Sequence, residues 1–539
     1  MLSPIRSFST GKLKFFRLLL LSLPLLQYCS KSDGGATADN SGGGNSTAAL
    51  SWFAQAYIKA PNSDSGDWFG EVVAASGDTV VVGARGEASN QNTITNGTGA
   101  SADNSSGYNG AVYVFRRTGG VWAQEAYLKT PNPSFTIQLG FSVAISGDTI
   151  VAGAPYEKSN QTTITNGSTA SSDTSASAAG AAYVFKRTGT TWVQEAYLKA
   201  PNAETQDQFG ISVAISGDTI VVGANQEDSN QATITNGTTA SGNNSTSNSG
   251  AAYVFKRTGS TWVHEAYLKA PNPEANDEFG ASVAISGNTI VVGAPYEDSN
   301  QTTITNGASA SSNNSANNSG AAYVFKRSGA TWAHEAYLKA PNADADDTFG
   351  SSVAISGDTV VVGSFDEDSN QNAITNGTTA SSNNSAASAG AAYVYKRTGT
   401  IWASEAYLKA SNHKQEHHFG TSVSILDDRI AVGAKKEGST QKTVTNGSTA
   451  DSDSYAAINT GAAYTFKRTG TSWTQEAYFK AANAEQGDFF GNSVALTENF
   501  LIVGALYEAS NQTTITNGTT ASTDNSKSDA GAAYIFSRQ

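Results

Sequence analysis

The chain is poor in charge, in sulfur and in long apolar runs. Of 539 residues only 15% are charged, and cations are the scarcer sign, 33 Lys and Arg against 46 Asp and Glu, for a formal charge of −13. An acidic surface of this kind argues against nucleic acid or anionic lipid as a partner. One cysteine is present, Cys29, and five histidines. Nothing has the form of a nucleophile elbow or a Gly-rich phosphate loop. The one strong apolar run, Leu18 to Leu26, is too short to span a bilayer. No stretch sustains a 3.6-residue apolar period between helix caps, so helices are not expected. Abundant instead are Gly (53), Ser, Thr, Asn and Ala, with 22 Phe, 21 Tyr and 8 Trp to build a core. That profile suits an all-β protein with many turns.

Residues 1–28 have the form of an export signal, with Arg6, Lys12, Lys14 and Arg17 ahead of the apolar run. Cys29 follows directly, in a context that resembles a bacterial lipoprotein processing site, where the cysteine becomes the acylated first residue. The alternative is an ordinary signal peptide with an incidental thiol. Loss of the signal removes those four cations and no anions, so the charge moves from −13 to about −17. Residues 29–50 are Gly, Ser, Asn and Asp with little to bury, as in a flexible tether. The implied address is the outer membrane, held by a lipid anchor, facing the periplasm or the outside.

From residue 51 to 539 the chain repeats itself. The phrase Ala-Tyr-hydrophobic-Lys begins at Ala56, Ala126, Ala196, Ala266, Ala336, Ala406 and Ala477, at steps of 70 residues and finally 71. Each unit reads as four strands in two hairpins, exemplified by Phe209–Ser216 with Asp218–Ala224, and Gly250–Arg257 with Trp262–Ala270. Four antiparallel strands taken seven times predict a seven-bladed β-propeller. The termini predict how it closes: Ser51–Ala60 matches a fourth strand with no first three, and Gly531–Gln539 a third strand with no fourth. Seven of the eight Trp fall at one repeat position, as expected of space-fillers between neighbouring sheets.

Phe-Gly recurs at 69, 209, 279, 349, 419 and 490 (Leu139-Gly140 in the remaining copy), and Gly-Ala-Pro stands at 153 and 293. With these motifs the unit resembles the FG-GAP repeat of integrin α-subunit propellers and of many exported bacterial proteins. The resemblance implies a binding role through the face that bears the loops. Calcium-binding members carry an Asp-rich loop between the first two strands; here that link is as short as Ser216–Asp218, too little to wrap a cation needing six to eight oxygens. A weaker calcium candidate is the recurrent Asn202-x-Glu204-x-x-Asp207, whose other reading is ordinary turn hydrogen bonding.

Every unit also carries an insertion between its second and third strands. Each insertion holds an Asn-Gly pair after a Thr-Ile/Val-Thr triplet, at Asn96, Asn166, Asn236, Asn306, Asn376, Asn446 and Asn517. That pattern predicts a β-finger with a mobile tip on the loop-bearing face, and these asparagines mark the expected ligand-binding face. A Glu precedes each finger, read as a solvated strand end or as part of a carboxylate ring that could attract cations, and recurrent Arg117, Arg187 and their equivalents are placed to pair with Glu125 and its equivalents. His413, His417 and His418 crowd one loop, a spacing open to a transition metal or to drift in one irregular blade. No catalytic residues and no resident metal are expected. The function expected is a monomeric, non-catalytic binding or adhesion module for an extracellular protein or glycan; a structural surface protein without ligand, or an enzyme of unrecognised type, are the alternatives.

Overall fold

The computed structural model describes residues 50–451 and 457–539. The expected signal, Cys29 and most of the tether lie outside the described residues. Within them all long regular structure is β-strand, in seven sheets of five strands arranged as a closed ring. In blade 3 the order from the centre outwards is Ser212–Ser216, Thr219–Ala224, Ala251–Thr258, Thr261–Leu268 and Thr235–Asn236, every pairing antiparallel. The first strands of neighbouring blades touch one another all the way round, which makes them the innermost strands.

The closing blade is assembled from both ends of the chain, as the incomplete termini predict. Phe490–Leu496, Phe500–Ala505 and Ala532–Arg538 supply its inner three strands, and Trp52–Ile58 its fourth, with Tyr57 opposite Tyr534 and Ile58 opposite Ala533.

The fifth strand departs from the expectation of four. Thr235 and Asn236 do not turn back on themselves as a projecting finger; they pair with Tyr267 and Ala266 on the outer strand of their own blade. The Gly237 amide continues the contact, donating to the Glu265 carbonyl at 2.7 Å. An uncovered outer strand would present a row of free N–H and C=O groups. The insertion covers part of that edge, and Gln231 ties it down by donating to the Thr233 carbonyl and Thr235 hydroxyl at 2.6 and 2.9 Å.

The Phe-Gly and Gly-Ala motifs mark where blades meet most closely. A Cβ on Gly223 would lie 2.0 Å from the Gly280 carbonyl of the next blade, and one on Gly280 2.3 Å from the Ala251 carbonyl. Only glycine admits that approach. Phe209 is fully buried, edge-on to Tyr253 and Phe255.

Candidate functional site

Two kinds of position build the molecule, and they separate by radius. The outer kind is repeated and joins blade to blade. The Asn166 carboxamide accepts from the Trp262 backbone N–H at 2.7 Å and donates to the Trp262 carbonyl at 3.1 Å, in the neighbouring blade. The same clasp joins Asn96 to Trp192, Asn236 to Trp332, Asn306 to Trp402, Asn376 to Trp473, Asn446 to Trp52 and Asn517 to Trp122. The asparagines expected on a ligand face therefore have both ends of their side chains committed between blades. Three still border open clefts on the outer wall, Asn96 one of about 700 Å³, Asn376 one of about 330 Å³ and Asn446 one of about 260 Å³.

Each seam is completed by a bulge. Val254 pairs with Ala266 and Phe255 with His264, so Glu265 is the extra residue, and the bulge turns its side chain towards the next blade. There its carboxylate accepts from the Trp332 indole N–H at 3.0 Å and the Arg327 guanidinium at 3.1 Å. Arg187, Arg257, Arg397 and Arg468 make the same pairing with Glu125, Glu195, Glu335 and Glu405. The guanidinium of Arg257 also lies 5.1 Å from the Trp262 ring centroid. All seven repeat tryptophans are buried in these seams.

The glutamates before the insertions, expected to be solvated strand ends or a cation-attracting ring, are neither. Glu227 is buried, 2.9 Å from the Lys269 ammonium, and accepts from the Tyr267 hydroxyl at 2.7 Å and the Asn202 amide at 3.1 Å. Seven such Lys–Glu pairs ring the molecule, from Lys59–Glu508 to Lys480–Glu437. Burial draws the Lys269 ammonium below its ordinary pKa while Glu227 pulls the other way.

This network also absorbs the calcium candidate. The Asn202 carboxamide is spent on Glu227, the Ser241 carbonyl and the Tyr253 hydroxyl. Asp207 accepts from the Glu204 backbone N–H at 2.8 Å, and burial pushes its carboxyl up to about 8. Among the described residues no three His, Cys, Asp or Glu side chains converge as a metal site. His418 stacks on Phe365, centroids 5.4 Å apart, and burial with nearby Lys436 holds its imidazole down to about 3.

The inner kind of position is the opposite in character. The residue after each Phe-Gly, at the start of the innermost strand, differs in all seven copies: Glu71, Phe141, Ile211, Ala281, Ser351, Thr421 and Asn492. The residue before it is left-handed in every blade (φ 53° to 56°) yet never Gly or Asn: Trp68, Gln138, Gln208, Glu278, Thr348, His418 and Phe489. Left-handed backbone costs such residues on the order of 1 kcal/mol or more. The residues leaving the second strand vary as well, among them Arg85, Asn225, Phe365 and Lys435. Together these positions form a crown around the channel mouth.

Side chains of adjacent blades interlock within it. The Arg85 guanidinium pairs with Glu71 at 2.5 Å, reaches Gln138 of blade 2 at 3.3 Å and lies 4.7 and 5.0 Å from the Trp68 and Phe141 centroids. Trp68 is stacked on Tyr108 with planes 3° apart. Asn225 donates to Glu278 of the next blade at 2.8 Å. Tyr296 is 40% exposed beside them. Sequence reasoning passed over the crown because it looked for what repeats; the signal was the columns where near-identical copies disagree.

Comparison with known proteins follows the same repeat. The FG-GAP repeat family matches seven times, at residues 52–115, 122–185, 192–255, 262–325, 332–395, 402–466 and 473–536. Among curated proteins none matches the sequence. Among solved structures the chain is similar to an acylaminoacyl peptidase in complex with Z-Gly-Gly-Phe-chloromethyl ketone (10% identity, 85% of this chain and 50% of that one, TM-score 0.38). It is similar also to Pyrococcus horikoshii acylaminoacyl peptidase (10%, 81% and 49%, 0.38) and to phage phi92 endosialidase (9%, 91% and 68%, 0.34). The chain spans about half the length of the two peptidases. With the family matched over most of its length, the chain belongs to the FG-GAP repeat proteins.

Proposed function

We propose that this propeller is an exported, lipid-anchored, non-catalytic binding module whose recognition surface is the crown. The observation that carries the reading is the left-handed position before each Phe-Gly. A turn that needs positive φ is met most cheaply by glycine; elsewhere the chain puts glycine there, as at Gly217 and Gly237, or mostly small or polar residues such as Ala178, Asn248 and Asp346. At the crown seven side chains of six kinds stand there instead, and strain held at such places is characteristic of working surfaces.

The non-catalytic part of the reading rests on how the ionisable groups are spent. Glu71 is held by Arg85, Glu278 by Asn225, and Lys436 lies against His418 and Glu416 at 3.0 and 3.4 Å. Export and anchoring rest on the sequence of residues 1–29, and membrane attachment at the outer membrane follows from them.

The test is a screen of the chain against immobilised glycans and extracellular proteins, repeated with Trp68→Ala and Tyr296→Ala. A ligand retained by the parent and lost by both variants is the expected result. Hits that survive both substitutions would remove the crown from the function.

A further inference from the structure

Blade 6 differs from blade 3 mainly by gaining positive charge. Against blade 3, Glu204 is replaced by Lys414, Asp207 by His417, Asn225 by Lys435, Gln226 by Lys436, Asp228 by Gly438 and Ala232 by Lys442. Each of these exchanges adds positive or removes negative charge; three in the same segments go the other way, Gln206 to Glu416, Ser241 to Asp451 and Asn243 to Asp453. The balance is positive in a chain that is acidic as a whole. Five of the six sit on the blade-to-blade loop and around the exit of the second strand, both at the loop-bearing end of the blade, while Lys442 lies on the insertion beside the outer-wall cleft at Asn446.

Lys435 is the centre of this sector. It stands at the channel mouth with its ammonium 5.5 Å from the Phe365 ring centroid, and among the described residues no carboxylate comes within ion-pair distance of it. Its chain neighbour Lys436 has one exposed ion-pair partner, Glu416. Burial and the Lys436 charge draw the Lys435 ammonium below its ordinary pKa, while Asp366 and Glu71 pull the other way from outside ion-pair distance.

On the reading that the crown is the binding surface, we propose that its blade 6 sector is a subsite for the carboxylates of an acidic glycan, with Lys435 and Lys436 as the charge-reading residues. The rest of the crown suits a sugar better than a peptide. The exposed Tyr296 ring shares the crown with short polar side chains such as Ser351, Thr421 and Asn492, a mixture that stacks on a pyranose face and hydrogen-bonds hydroxyls. A peptide adding itself as a strand needs an open sheet edge, and here the outer edges carry the fifth strand while the inner ones face the channel.

The experiment titrates the full chain with a galacturonic acid hexamer, with its fully methyl-esterified neutral form, and with a glutamate hexapeptide. The hexamer should bind, weakening several-fold as salt is raised from low to moderate concentration, and the ester and peptide should bind at least about tenfold more weakly. Lys435→Gln with Lys436→Gln should weaken the hexamer about tenfold without lowering the melting temperature, and Lys435→Arg with Lys436→Arg should restore it. Equal binding of acid and ester, equal binding of hexamer and peptide, indifference of the hexamer to the Gln pair, or no sugar binding at all each overturn the subsite. The crown itself is judged separately: a ligand lost in Trp68→Ala and Tyr296→Ala but indifferent to the two lysines would keep the crown and discard the charge reading.

Discussion

The seam between blade 7 and blade 1 is the one that lacks its glutamate, and it is formed by Trp52–Ile58, the strand that closes the ring within blade 7. At the other six seams a bulged Glu accepts the indole N–H, as Glu195 does from Trp262 at 2.9 Å. Here the bulged residue is Gln55, accepting from Trp122 at 3.2 Å. The Arg117 Nε is buried without a hydrogen-bond partner; the guanidinium is 3.9 Å from Asp78 and lies 5.2 Å from the Phe500 ring centroid. Gln55→Glu should restore the ion pair that Arg187 makes with Glu125 at 2.9 Å. A charge-assisted bond to a partly buried arginine contributes about 1.5–3 kcal/mol before desolvation, and exposed pairs about 0.2–1, so a net gain of about 1 kcal/mol is expected. Heat is a poor detector: across Leu50–Gln539 an unfolding entropy of about 2.1 cal/mol/K per residue makes 1 kcal/mol worth only about 1 °C. Native-state hydrogen exchange of the Trp52–Ile58 amides is the better assay, because closure there is local and 1 kcal/mol slows exchange about fivefold. Arg117→Ala in the Gln55→Glu background should abolish the gain. Unchanged or faster exchange in Gln55→Glu would refute the view that this seam is electrostatically incomplete.

Four further outcomes follow from the same contacts. Deleting Ser51–Ala60 removes the outer strand of blade 7 and should lower the melting temperature of the whole ring, with an unchanged curve excluding closure by that strand. Asn236→Ala strips the clasp from the Trp332 backbone and should cost about 1–3 kcal/mol in urea unfolding, with faster exchange at Trp332. Lys269→Met leaves Glu227 buried and unpaired, a loss of about 3–5 kcal/mol that Glu227→Gln in the same chain should partly recover. Stability should also depend on pH in an unusual sense. Burial raises the carboxyls of Asp207, Asp277 and Asp347 to about 8 and of Asp67 and Asp488 to about 7, from 3.8. Between about pH 4 and 8 the folded ring holds protons that the unfolded chain has released, so stability falls as pH rises through that window; replacing all five with Asn should flatten the slope in melting scans.

How much of this could be seen in the sequence depended on the range of the interaction. The ring, its blade number and its closure were legible because they follow from copies and their incomplete ends. The Trp position was legible because one large ring per blade must fill a seam. The fifth strand was not. Thr-Ile-Thr-Asn-Gly is locally as good for a hairpin as for an edge strand, and the choice is made by partners far along the chain: the outer strand about 30 residues on, at Tyr267 and Ala266, and a tryptophan backbone at Trp332. The Glu–Lys pairs were missed for a similar reason, since Glu227 and Lys269 stand on different strands and look like ordinary ends of each.

The division between repeated seam and varied crown has a physical cause. A seam residue such as Glu265 must satisfy the indole and guanidinium of the next blade while its own blade supplies Trp262 and Arg257 to the blade before. A change there strands polar groups in two sheets at once, so the copies stay alike. A crown residue sits on the inner end of its blade, where backbone contacts through Gly223 and Gly280 hold the sheets and side-chain contacts between blades, such as Arg85 with Gln138 and Asn225 with Glu278, differ from seam to seam. Variation is therefore tolerated at the crown, but tolerance alone would let the strained left-handed site relax to glycine. That it holds Trp68, Glu278, His418 and Phe489 instead is what the proposed binding role of the channel mouth accounts for: side chains kept there for what they touch.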